Sequence, residues 1–88
     1  MPPGRTPKEP DETTFIGRVA AEIRRRRVKR KLRVEQAAAA AGVPASTWYR
    51  RENGRGLTLE SLPAIAAALG CQARDLVPKS QTAMVDRI

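Results

Sequence analysis

The segment Ala45-Ser-Thr-Trp-Tyr-Arg-Arg-Glu52 gathers two short hydroxyls, a phenol and two guanidinium groups within eight residues. These groups exchange hydrogen bonds with a partner rather than break bonds in it. Ser46 can donate to or accept from a base edge or a phosphate. Arg50, one helical turn on, can offer two parallel N–H donors to guanine O6 and N7. A second cluster lies upstream: in Arg24 to Arg33, eight of ten residues are basic. Cations suit the C-terminal end of a helix, but this block exceeds what helix stability requires, and its members repel one another. Each side chain taken singly is as well explained by a solvated face. The block as a whole is better explained by a polyanionic partner.

Catalytic chemistry has few candidates. The chain has no histidine. It shows no Cys/His or multi-carboxylate set at metal-ligand spacing, and no phosphate-cradling glycine loop. Its single cysteine, Cys71, follows Gly70 among apolar residues and reads as a buried, inert thiol. No catalytic residue, metal or cofactor is expected, and the protein is not expected to be an enzyme. Seventeen basic and nine acidic side chains give a formal charge of +8, which favours nucleic acid. An anionic membrane surface is the competing reading of that charge. No apolar run approaches the roughly 20 residues of a spanning helix, and no signal-peptide core is visible. A lone cysteine makes no internal disulfide, which fits a reducing cytoplasm.

Eighty-eight residues make one small domain. The hydrophobic fraction is 41%, much of it alanine, with only Phe15, Trp48 and Tyr49 aromatic. Such a core relies on close helix contact and is expected to give modest stability. Residues 1–13, rich in proline, read as a disordered arm whose Arg5 and Lys8 could reach phosphate. Thr13 or Thr14 caps a first helix with Phe15, Ile16, Val19, Ala20 and Ile23 at buried spacing. Leu32 re-enters the core, and Val34 to Ala41 form a second helix whose Ala37, Ala38 and Ala41 share a face. Gly42 ends it in a left-handed conformation. A third helix starts at Pro44 or Ala45, with Val43 and Trp48 inward and Ala45, Ser46, Tyr49 and Arg50 outward, and stops at Asn53-Gly54. A fourth, capped by Ser61 or Leu62 with Pro63 in its first turn, buries Leu62, Ile65, Ala66 and Leu69 and closes at Gly70. A short fifth helix spans about Ala73 to Val77. The domain therefore covers 14–78, and 79–88 read as a tail for dimerisation or a partner.

Two short helices joined by a tight glycine turn, the second presenting small polar residues and arginine, form a helix-turn-helix unit. With "IRRRR" before Leu32, "AAAAAGVPASTWYRRENG", and "LPAIAAALG" followed by "ARDLV", the chain resembles the Cro/C1-type, XRE-like regulators over about Phe15 to Val77. The resemblance implies an all-α, compact five-helix bundle of the lambda-repressor-like type, bacterial or phage in origin, working in the cytoplasm. It also implies double-stranded DNA as partner. Ala45, Ser46 and Arg50 then face base edges, with Tyr49 as a further candidate. Arg33 and Arg55 meet the phosphate backbone, and Thr47 and Lys31 are taken as further phosphate contacts. Arg27 and Glu52 match a structural pair that ties the first helix to the third. Two departures stand out. Val34 occupies a position where relatives carry glutamine. Arg51 stands where they carry an apolar residue, and it is expected to snorkel outward or to join Glu52 or Glu22.

The leading function is a sequence-specific transcriptional regulator, a repressor by family analogy, acting as a homodimer on an inverted repeat. Its dimer surface is expected at the fifth helix with the Met84–Ile88 tail, or at the start of the first helix. The alternatives are an antitoxin or other protein-interaction module, and, ranked last, non-specific nucleic-acid binding through Arg24 to Arg33.

Overall fold

The computed structural model describes residues 11–78. They form four α-helices, α1 (Phe15–Lys29), α2 (Val34–Ala41), α3 (Ala45–Glu52) and α4 (Leu62–Leu69), and two 3-10 turns at Leu59–Ser61 and Ala73–Leu76. No strand occurs among the described residues. α2 packs on both α3 and α4, and α1 also packs on α3 and α4.

Thr14, not Thr13, caps α1: its hydroxyl accepts from the Gly17 amide at 2.9 Å and donates to the Asp11 carbonyl at 3.0 Å. Thr13 donates its hydroxyl and amide to Asp11 Oδ1 at 2.6 and 3.0 Å, and these bonds hold the Asp11 carboxyl below its ordinary pKa. The turn lies so close over Gly17 that any Cβ there would overlap the Asp11 carbonyl. Glycine inside a helix is unfavourable by about 1 kcal/mol relative to alanine; here the cap requires it.

The buried face of α1 comprises Gly17, Val19, Ala20, Ala21 and Ile23. Phe15 and Ile16, expected in that stripe, are 42% and 40% exposed. The Asp11–Thr14 turn folds onto Gly17, and the Ile16 side chain lies beside Gly54. At its other end α1 closes with amides of Lys31 and Leu32 bonded to the carbonyls of Val28 and Arg27, at 2.9 and 3.1 Å. Lys31 takes φ 60 there, the described non-glycine residue with positive φ, at a cost of about 1–2 kcal/mol.

Gly42 at φ 75 turns the chain out of α2, with the Val43 amide returning to the Ala38 carbonyl at 3.0 Å. Val43 and Trp48 both join the core and bracket the start of α3 as a hydrophobic staple. Pro44 is the N-cap of α3, one residue outside the helix, and its carbonyl accepts from Thr47 and Trp48 at 3.0 and 3.2 Å. Ser61 does not cap α4 with its side chain. Its hydroxyl donates to the Thr58 carbonyl at 2.6 Å, and Thr58 starts the 3-10 turn that runs into Leu62.

The expected fifth helix is a single 3-10 turn, Ala73–Leu76. Asp75 folds back to accept the Gln72 amide at 2.9 Å, which fixes the turn's start. Pro78 then disfavours a helical Val77, which is extended at φ −94, ψ 137. The turn still delivers Leu76 to a core of Val19, Ile23, Ala37, Ala38, Trp48, Leu62, Ile65, Ala66 and Leu69.

One polar network runs through this packing. Glu52, 4% exposed, accepts from Arg27 on both carboxylate oxygens, with Arg27 Nη2 at 3.1 Å from Oε1. Its Oε2 also accepts from Trp48 Nε1 at 2.6 Å. Arg27 Nη1 donates to the Leu32 carbonyl at 2.8 Å. A single guanidinium thus joins α1, the link to α2, and α3.

Removing one partner strands the other charge inside the protein, a loss of about 3–5 kcal/mol for a buried pair. Arg27→Met is therefore expected to destabilise by about 3 kcal/mol in urea unfolding. Adding Glu52→Gln, which still accepts from Trp48, should recover a large part of that loss. Simple addition of two losses would sink this account of the pair.

Candidate nucleic-acid interface

α3 has two unlike faces. Trp48 and Glu52 are buried and fix its roll, while Ser46, Tyr49 and Arg50 are exposed on the far side. Tyr49 is 44% exposed. Arg50 carries no hydrogen bond or ion pair from its side chain to any described residue, and it lies in the last turn, where a cation meets the negative helix end. Ala45 is placed differently from expectation. It lies three residues before Trp48 on the inward stripe, half-buried and packed against the core. Its methyl is shared between core and surface. Thr47 is half-buried at the flank.

The basic block divides into groups with distinct work. Glu22 holds Arg25 and Arg26, the latter at 2.7 Å. Glu52 holds Arg27. The Arg30 guanidinium lies against Gly70, at the C-terminal end of α4, which again suits the helix dipole. Arg24, Lys29, Lys31 and Arg33 are exposed and have no side-chain partner among the described residues, and the same holds for Arg55 after α3. Lys31 and Arg33 flank the start of α2, and Arg55 follows the end of α3. Three of the sites predicted for phosphate, Lys31, Arg33 and Arg55, are thus exposed cations without an ion pair among the described residues, at the two ends of the helix-turn-helix segment of the chain.

Arg33 also occupies the N-cap of α2, with extended backbone at φ −82, ψ 161. A guanidinium has only donors, so it cannot accept from the free amides of the first turn. A cation also opposes the positive helix end. Gln36 compensates in part, its side-chain oxygen taking the Arg33 amide at 2.8 Å.

Arg51 forms no ion pair with Glu22 or Glu52, both of which are occupied by other arginines. It is half-buried, and its Nε is buried without a hydrogen-bond partner. Half-burial of the side chain without an ion pair fits the outward, snorkelling course. Cys71 is half-buried, and burial raises its thiol pKa above the ordinary value. No group of His, Cys, Asp and Glu is placed to hold a metal ion among the described residues. None of the described helices is long and apolar enough to cross a membrane.

The fold and this surface define a helix-turn-helix domain. The family model described as "Helix-turn-helix domain" matches residues 18–78, and the chain belongs to that family. A solved structure is similar over nearly the whole molecule: a hypothetical transcription factor, NHTF, from Neisseria. It is 26% identical, covers 90% of this chain and 94% of its own, and superposes with a TM-score of 0.70. No curated protein matches the chain.

Two outcomes follow from this geometry. Arg33→Ser supplies the missing cap acceptor and should raise stability by about 1 kcal/mol, read as a higher urea midpoint with unchanged slope. The raised Cys71 pKa means that the folded thiol ionises later than the unfolded one. Its contribution to stability is intact below the unfolded thiol's pKa and declines as pH rises through the folded value. Alkylation of the native protein should therefore show its inflection at higher pH than the urea-unfolded chain; a lower inflection would contradict burial as the governing influence.

Proposed function

We propose that the protein is a sequence-specific double-stranded DNA-binding transcriptional regulator, not an enzyme, that lays α3 in the major groove. The observation that carries this reading is the division of α3: one face is pinned by Trp48 and Glu52, and the other presents Ser46, Tyr49 and Arg50 to solvent. Membership of the helix-turn-helix family and likeness to a protein titled as a transcription factor support it. Arg50 reads guanine, with Ser46 and Tyr49 contacting neighbouring base edges and Ala45 offering a partly covered methyl to thymine. Lys31, Arg33, Thr47 and Arg55 fix register on phosphates, which positions the helix without reading sequence.

A domain of this size reads few base pairs, so the working unit is a homodimer on an inverted repeat, with half-sites about one helical turn apart. The exposed Phe15 and Ile16 at the start of α1 offer an apolar surface for it. The tail expected to dimerise, 79–88, lies outside the described residues. The repressor assignment follows the Cro/C1 resemblance, and occupancy of an operator is its mechanism.

Selection of bound duplexes from a random library at about 150 mM salt tests the proposal, since that strength screens much non-specific attraction. A two-fold symmetric consensus is expected. Binding to every duplex alike would instead leave α3 as a docking surface for a protein. On the selected site, Arg50→Ala should lose about 1–3 kcal/mol and relax preference at one position. Arg55→Ala should weaken all sequences alike and lower the salt slope by about one.

A further inference from the structure

A cavity of about 220 Å³ opens between α1, with Glu12 before it, and the end of the last 3-10 turn with the two residues that follow. Leu76, Val77 and Pro78 supply its apolar wall, and Glu12, Arg18, Glu22 and Arg25 its polar rim. Two of the rim charges are committed, since Glu22 binds Arg25 and Arg26. Arg18 is not: it makes no ion pair among the described residues, and its Nε is buried with no hydrogen-bond partner. Arg18 therefore lines the slot as a cation without a counter-ion among the described residues, and an incoming carboxylate would supply one. The site is an apolar slot with one unpaired cation on its rim.

The described residues end at the wall of this slot. Pro78, the last described residue, is part of its wall, and the sequence continues Lys79-Ser-Gln-Thr-Ala-Met-Val-Asp-Arg-Ile88. Four polar residues come first, then Ala83, Met84 and Val85, and then a carboxylate at Asp86. Four extended residues reach about 14 Å, enough to double back across a cavity that the preceding residue already lines. We propose that residues 83–86 of the same chain occupy this cavity, with Met84 and Val85 against Leu76, Val77 and Pro78, and Asp86 on Arg18. Two properties favour the same chain over a second copy. A short flexible connection gives an effective concentration in the millimolar range, above that of free protomers. A slot of this size also admits only a few side chains, far less area than a stable dimer buries.

Docking of this kind extends the fold beyond Pro78 and withdraws the tail from dimer or toxin contacts. It stands apart from the DNA-binding reading, because it makes no use of α3 and is measured without DNA. The full chain carrying Cys71→Ser and Met84→Cys, with a nitroxide on the new thiol, provides the test. Signals of the Leu76 and Val77 methyls and of the Arg18 Nε–H should be lost relative to the reduced nitroxide, equally at low and high protein concentration. Loss seen only when labelled chains are mixed with unlabelled reporter chains would assign the slot to a second copy and overturn the proposal. Undiminished signals would overturn it as well. Charge exchange gives an independent check on the unmodified tail: Arg18→Glu should shift the Leu76 and Val77 methyls toward their positions in a chain ending at Pro78, and adding Asp86→Arg should shift them back. Identical shifts in the single and double variants would remove Asp86 from the site.

Discussion

The Glu52 carboxylate is the interaction on which the other features depend. It sits at the end of α3 with almost no exposure and takes hydrogen bonds from Arg27 and from Trp48. The α2 surface on which α3 packs is built on alanine and has little shape with which to fix the roll of an eight-residue helix. Ala37 and Ala38 let α2 approach closely but grip weakly, because a methyl offers small area and no direction. Directional bonds supply what the apolar contacts lack. Burying two charges contributes little net stability, since desolvation offsets attraction. Its value lies in admitting one orientation of α3, and that orientation decides which residues face outward.

Much of this was legible in residue types and spacing. Gly42 and Gly70 end α2 and α4 at positive φ as their positions suggested, and Thr14 caps α1. Leu62, Ile65, Ala66 and Leu69 are buried at their helical spacing. The Arg27–Glu52 pair came from family resemblance, since twenty-five residues of separation carry no local signal. The misplacements share a cause: local pattern is blind to what packs from elsewhere. Phe15 and Ile16 fit the stripe of α1, but the preceding turn settles on Gly17. Ala45 fits an outward helix face until the position of Trp48 sets the roll. The last segment has helical residues, yet Pro78 and the Asp75 cap leave room for one tight turn.

The distribution of positive charge shows fold and surface drawing on the same residue type. Arg25, Arg26 and Arg27 are consumed within the domain, whereas Lys31, Arg33 and Arg55 remain outside every described ion pair. Two of these occupy positions that favour other residues. Lys31 holds a left-handed backbone usually left to glycine, and Arg33 takes a cap usually left to a hydroxyl or carboxamide. Such local conflict with propensity is the pattern seen where a surface serves a purpose besides folding.

Trp48 adds an optical consequence. It is the chain's single tryptophan, fully buried, with its indole N–H on the Glu52 carboxylate. Its emission therefore comes from one environment, the seam between α3 and the rest of the domain. A blue-shifted spectrum reports α3 seated, and a red shift reports water at the indole. The unmodified protein thus carries its own gauge of whether α3 keeps its seat when a partner arrives.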